Sequence, residues 1–113
     1  MDSMPFPVWR RSAVVLVTVA SVGFAADKPD AEKGNEVFDE QCSRCHHAAS
    51  LERKVGPGLK LLFAKEKLES NGKPVNEANV MEKIEKGGGG MPAFQETLSK
   101  DDKADLLAYL KTL

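Results

Sequence analysis

The chain has 113 residues, with 16 lysines and arginines set against 17 aspartates and glutamates. That length holds one small domain. So even a charge balance lacks the basic field that nucleic-acid binding needs, which excludes nucleic acid as a partner. No internal repeat, no domain linker and no alternating or continuous β run is found, so the predicted elements are helices and loops.

The N-terminal stretch reads as a secretory signal peptide covering residues 1–25, with the domain proper at residues 26–113. Arg10 and Arg11 give the positive end, Ala13 to Gly23 is apolar except for Thr18 and Ser21, and Gly23-Phe24-Ala25 supplies the small residues of a cleavage site after Ala25. The apolar run is shorter than the roughly 20 residues a membrane span needs, so membrane attachment is expected only if the segment stays uncleaved. Two arginines are ordinary in such a segment and do not by themselves indicate the twin-arginine route. Removing 25 of the 113 residues leaves 88, with 14 basic and 16 acidic side chains and a net charge of −2. Trp9, the single tryptophan, goes with the leader. A chain this small buries a modest share of its surface and usually needs a staple.

The first predicted helix runs from about Ala31 to Gln41. Asp30 is its N-cap, and Ala31, Gly34, Val37, Phe38 and Gln41 mark one face. It leads into Cys42-Ser43-Arg44-Cys45-His46, which reads C-x-x-C-H, the haem c attachment pattern. Residues three apart on a helical turn share a face, so both thiols can reach the two vinyl groups on one side of a porphyrin. His46 follows directly, placed to meet the iron. Three other readings compete. A thioredoxin-like redox pair needs a βαβ context, a Cys42–Cys45 disulfide would close a very small loop, and zinc needs four well-spread ligands. His47 points roughly 100° away from His46 and is read as a surface residue.

The loop from Arg53 to Gly58 holds Gly56-Pro57-Gly58. Pro57 offers a carbonyl without an N–H, which suits it to accept a hydrogen bond from the proximal imidazole; the other reading is a plain turn. A second helix is predicted over about Leu59 to Glu69 from the stripe Leu59, Leu61, Leu62, Phe63, Ala64 and Leu68. Ser70 to Val75 follows as a plain loop, because Pro74 and the lack of flanking alternation argue against an Asn71-Gly72 hairpin. The third helix covers about Glu77 to Lys86, capped by Asn76, buried through Val80, Met81 and Ile84, and stopped by Gly87.

A haem with two axial ligands needs a second donor, and a methionine thioether raises the potential. Met81 lies on a helical apolar stripe and reads as core filler. Met91 follows four glycines and precedes Pro92. Glycine lets backbone approach a flat ring without a Cβ clash, which makes Met91 the candidate distal ligand; the other reading is a flexible glycine linker that ends in Met. The fourth helix is predicted over Lys100 to Thr112, opened by Ser99 and Asp102 and buried through Leu106, Leu107, Leu110 and Leu113 with Tyr109 beside them.

The ordered set resembles a class I c-type cytochrome, of the small bacterial kind: Gly34 and Phe38, Cys42-Ser43-Arg44-Cys45-His46, Gly56-Pro57 with Leu59, Gly90-Met91-Pro92, and Leu106, Tyr109 and Leu110. The resemblance implies an all-α cytochrome c fold of about four helices around one covalently attached haem c. The first and last helices would cross at Gly34 with Phe38, Leu106 and Tyr109 packed around the crossing. Cys42 and Cys45 would carry the thioethers, His46 and Met91 the iron, and Pro57 the bond to His46. Two departures are visible: no tryptophan is left to bond a propionate, and the family's lysine ring around the haem edge is not evident in a net acidic chain. The expected function is a periplasmic, monomeric, non-enzymatic carrier of single electrons with transient redox partner proteins. Electrons would pass near the Cys42–Cys45 turn and the glycine loop. The alternatives are a dedicated cytochrome subunit of a dehydrogenase or oxidase complex and, further off, a haem gas sensor or peroxidase.

Overall fold

A computed structural model describes residues 28–113 and the isolated Val17. The leader, Trp9 and the cleavage after Ala25 lie outside the described residues. Three α-helices and one short 3-10 turn make up the regular structure: α1 (Ala31–Gln41), the turn Leu62–Ala64, α2 (Glu77–Lys86) and α3 (Lys100–Leu110).

Each α-helix starts where a side chain can satisfy its free N–H groups. Asp30 Oδ1 accepts from the amides of Glu32 and Lys33. Asn76 Oδ1 accepts from Asn79 at 2.8 Å. Ser99 and Asp102 form a reciprocal capping box. Gly87 ends α2 with φ 64°, a left-handed conformation that glycine enters without cost.

α1 and α3 pack as a crossed pair. Gly34 and Phe38 are the buried positions of α1, and Leu106 and Leu110 those of α3. At the crossing a Cβ on Gly34 would stand 1.9 Å from the Asp105 carbonyl oxygen and 2.8 Å from Tyr109 Cβ. Only glycine lets the two backbones come so close. Phe38 and Tyr109 meet beside it with ring centroids 5.6 Å apart and planes tilted by 57°, a favourable aromatic geometry. The Asp30 amide donates to Asp105 Oδ1 at 2.8 Å, tying the start of α1 to the middle of α3. The crossing that the family resemblance implies is therefore present.

The helix expected over Leu59–Glu69 does not form; a single 3-10 turn, Leu62–Ala64, stands in its place. A left-handed Leu61 and a Leu68 amide that bonds Lys73 where a helix would use the Ala64 carbonyl break the run. Leu59 N–H goes to His47 O at 2.8 Å and Lys60 N–H to Ser50 O at 3.3 Å. Leu61 then takes a left-handed turn at φ 58°. The apolar stripe still works, since Leu62 is buried and Leu59, Phe63 and Leu68 pack against the core. Residues 66–75 are also more ordered than the plain loop expected there. Leu68 N–H bonds Lys73 O at 2.8 Å and Val75 N–H bonds Glu66 O at 3.0 Å, around an antiparallel bridge between Lys67 and Pro74. Neither bond calls on the nitrogen of Pro74, so the proline is tolerated. Met81 is half-buried and lies outside the core cluster, so it does not fill the core as expected. The last helix stops at Leu110, and Lys111 and Thr112 form a turn.

Gly34→Ala should cost about 1–3 kcal/mol, the range for forcing volume into a packed contact, because the clash is with backbone and not with a movable side chain. Urea unfolding of the haem-loaded protein measures it; a loss below about 0.5 kcal/mol, within the spread of ordinary surface changes, would mean that the crossing relaxes freely.

Candidate haem site

α1 does not end in a free loop. The amides of Cys42 and Ser43 both bond Phe38 O, at 2.8 and 2.9 Å, and those of Cys45 and His46 both bond Cys42 O, at 3.1 and 3.0 Å. The C-x-x-C-H run is thus one tight turn continuing the helix. Its two cysteines are half-buried, unpaired, and face the same cavity. Burial, helped by the neighbouring Cys45, pushes the Cys42 thiol up to about 11. A redox dithiol works with a depressed thiol pKa, so the environment opposes the thioredoxin-like reading. Among the described residues no three His, Cys, Asp or Glu side chains converge as a metal-ion site, which leaves the zinc reading without its ligands.

His46 is aimed by the chain that returns beside it. Gly56 N–H bonds Cys45 O at 2.8 Å, and Leu59 N–H bonds His47 O at 2.8 Å. These two bonds bracket His46 against Pro57, and His46 Nδ1 lies 2.8 Å from the Pro57 carbonyl oxygen. A carbonyl can only accept, so Nδ1 carries the proton in the neutral ring and Nε2 keeps the lone pair. The approach is close enough that a Cβ on Gly56 would fall 2.4 Å from His46 Cε1. Sequence reading missed that role of Gly56; the signal available was a glycine directly before a proline, ten residues beyond a candidate ligand. His47 is exposed and stays outside the cavity wall.

Met91 sits on a hairpin. Gly88 N–H bonds Met91 O at 2.9 Å, and Met91 N–H bonds Gly88 O at 3.2 Å. Gly89 and Gly90 make the two-residue connection with φ of 64° and 93°, the double positive φ that such a turn demands. This ordered hairpin replaces the flexible-linker reading. Met91 is half-buried, packs against the core and faces the same cavity as His46.

That cavity has a volume of about 670 Å³ and is walled by every element of the fold. Among the described residues eight hydrophobic side chains are buried, and all of them except Leu98 line it. The volume is that of a cofactor or ligand site. An apolar slot that holds two thiols, an imidazole with a free Nε2 and a thioether has the donor set and the wall that a covalently attached haem requires, so the residues fit the group.

The cavity mouth is basic. Arg44, Arg53, Lys65, Lys67 and Lys83 line it against Glu40 and Glu69, and Glu69 is already paired with Arg53. The acidic excess lies away from it, on α1 and α3 with Glu32, Glu36, Asp39, Asp101, Asp102 and Asp105. Net charge therefore hid a partial basic ring that the sequence did not make evident. Exposed Val55 also lines the mouth.

The family model described as cytochrome c oxidase, cbb3-type, subunit III matches residues 29–110. The cytochrome c6 of Synechocystis sp. is 31% identical over 97 residues, covering 86% of this chain and 77% of that protein. The cytochrome c6 of Leptolyngbya boryana is 33% identical over 81 residues, covering 72% and 89%. A solved structure of cytochrome c6 from the diatom Phaeodactylum tricornutum superposes with a TM-score of 0.58 at 25% identity, covering 74% of this chain and 92% of that one. The chain belongs to the monohaem c-type cytochromes. It has their all-α fold and, as an electron-transfer protein and not an enzyme, takes one covalently bound haem c.

Replacing both Cys42 and Cys45 with alanine should give a chain with no haem mass attached. Its core would then be left open over about 670 Å³. A heat scan of that variant should lack a cooperative transition, and a sharp one would show that the polypeptide folds without the group.

Proposed function

We propose that this chain is exported, cut after Ala25, and works as a monomeric periplasmic carrier that shuttles single electrons between redox proteins. In this reading Cys42 and Cys45 would hold the haem through thioethers, and His46 Nε2 and the Met91 sulfur would ligate its iron. The Pro57 carbonyl fixes the His46 ring. The observation that carries it is the 2.8 Å contact of His46 Nδ1 with Pro57 O, in a cavity that Met91 also faces. When bound, the porphyrin iron supplies a one-electron couple. The protein's part is to choose the ligands, exclude water and hold still. Its soft thioether favours the reduced state and raises the potential, and two filled axial positions leave no room for a substrate.

The basic mouth supports a partner with an acidic face around its own redox centre, met briefly and steered by charge. Among the described residues no helix is long and apolar enough to cross a membrane, which is compatible with a protein that moves between partners. A second reading, a dedicated subunit of an oxidase or dehydrogenase, draws on the description of the matching family model. Native electrophoresis of an extract separates the two: a carrier runs alone, a subunit runs with its complex.

Met91→Ala should abolish the sulfur-to-iron charge-transfer band, lower the potential and open the iron to carbon monoxide, while Met81→Ala leaves all three unchanged. The reverse pattern would move the ligand to Met81. Mass spectrometry of the exported form should give a chain starting at Ala26 plus one haem. A third test uses small oxidants of opposite sign. Ferricyanide, an anion, should react more slowly as salt is added, and a cationic cobalt complex faster, because the field at the mouth is positive although residues 26–113 are net negative. Opposite slopes would mean that net charge governs the encounter and that the partner face is not acidic.

A further inference from the structure

Lys83 stands on the last turn of α2, four residues before Gly87. Its Nζ donates to the Gly88 carbonyl at 3.0 Å and to the Gly87 carbonyl at 3.3 Å. The Gly88 oxygen is also the acceptor of the Met91 amide. One carbonyl thus receives the hydrogen bond that closes the hairpin and the ammonium of Lys83. The side chain is partly buried and lines the cavity.

The clamp falls where the backbone most needs one. Gly87 to Gly90 all have positive φ, between 64° and 110°. Four glycines in a row lose more conformational freedom on ordering than any other run of residues. They also carry no side chains with which to hold the turn, and a Cβ at Gly89 or Gly90 would touch nothing. The hairpin's own two backbone bonds are thus supplemented only from α2. Among the described residues no carboxylate takes up the Lys83 charge: Glu82 pairs with Lys73 and Lys86, and Glu85 with Lys103. It is free to act on the carbonyls.

We infer that Lys83 is the positioning residue that keeps Met91 on the iron, by clamping the Gly87 and Gly88 carbonyls to the end of α2. The inference rests on the reading of Met91 as the distal ligand. Without the clamp the hairpin opens more often, and an outside ligand competes better for the same iron position. The uncompensated charge beside the cavity also favours the reduced state.

The test is imidazole binding to the oxidised haem-loaded protein, followed by loss of the sulfur-to-iron band. Lys83→Met should bind imidazole about tenfold more tightly, the effect of losing two partly exposed charge-assisted hydrogen bonds, and its midpoint potential should fall. Lys83→Arg, which keeps charge and donors, should stay within about threefold of the parent. Lys86→Met removes a charge from the same helix without touching the hairpin, and should leave imidazole affinity unchanged. If Lys83→Met is too unstable to purify, Lys83→Gln takes its place and should lie between parent and Arg variant on one side and full loss on the other. Unchanged imidazole affinity in Lys83→Met or Lys83→Gln overturns the clamp. An equal rise in Lys86→Met would reduce it to a general charge effect and overturn it as well. If Met91→Ala keeps the band, the ligand reading has failed instead, a result distinct from either.

Discussion

The core of this protein is built around a space. Among the described residues, seven of the eight buried hydrophobic side chains line the central cavity, and Leu98 does not. Phe38 from α1, Val80 and Ile84 from α2, and Leu106 and Leu110 from α3 pack as one cluster that forms its wall. Interiors are normally packed to the density of organic crystals, so a cavity of about 670 Å³ in a domain this size cannot be an accident of packing. It follows that the core is complete only when the slot is filled. In the proposed attachment the thioether links at Cys42 and Cys45 would be as much a structural device as a functional one, the porphyrin completing the small apolar inventory of the chain.

Around that hollow the backbone is arranged so that polar groups serve the site and not regular structure. The segment from Arg53 to Lys60 bonds to Cys45, His47 and Ser50. Those bonds place Pro57 beside His46. The segment after α2 folds into the hairpin that presents Met91. Both loops depend on glycine at points of contact: Gly56 gives way to the imidazole, and Gly87 to the Met91 carbonyl, which a Cβ would approach to 2.4 Å. The proposed ligands His46 and Met91 are therefore positioned by short loops, one bonded to the C-x-x-C-H turn and one to α2.

What could be read from sequence divides along the same line. The caps at Asp30, Asn76 and Ser99 were legible because each is a local bond between a side chain and an amide two or three residues on. The C-x-x-C-H turn and the Gly-Met-Pro run were legible because spacing alone gives them meaning. The helix expected at Leu59–Glu69 is absent although its apolar periodicity is real, because Leu61 turns left-handed and the Leu68 amide bonds Lys73, neither of which an apolar pattern reveals. The pairing within residues 66–75 is hidden because Pro74 and the lack of flanking alternation argue for a plain loop, although the bonds there do not use the proline nitrogen. Lys83 has no reading from sequence. Its position four residues before a glycine run, where a long cation can reach the last carbonyls of a helix, was the available sign. The basic mouth was hidden because a sum of charges carries no information about where they lie.

The bond from the Asp30 amide to Asp105 spans 75 positions in the chain, and the Gly34 crossing spans nearly as many. The protein's first helix cannot find its seat until its last helix exists. A chain delivered N-terminus first exposes Cys42 and Cys45 while the segment that will roof them is still to come. Long-range closure is slow compared with local turn formation, so the two thiols spend that interval in an open turn, accessible to whatever assembly machinery must reach them. The topology thus sets an order of events in maturation: modification first, enclosure second.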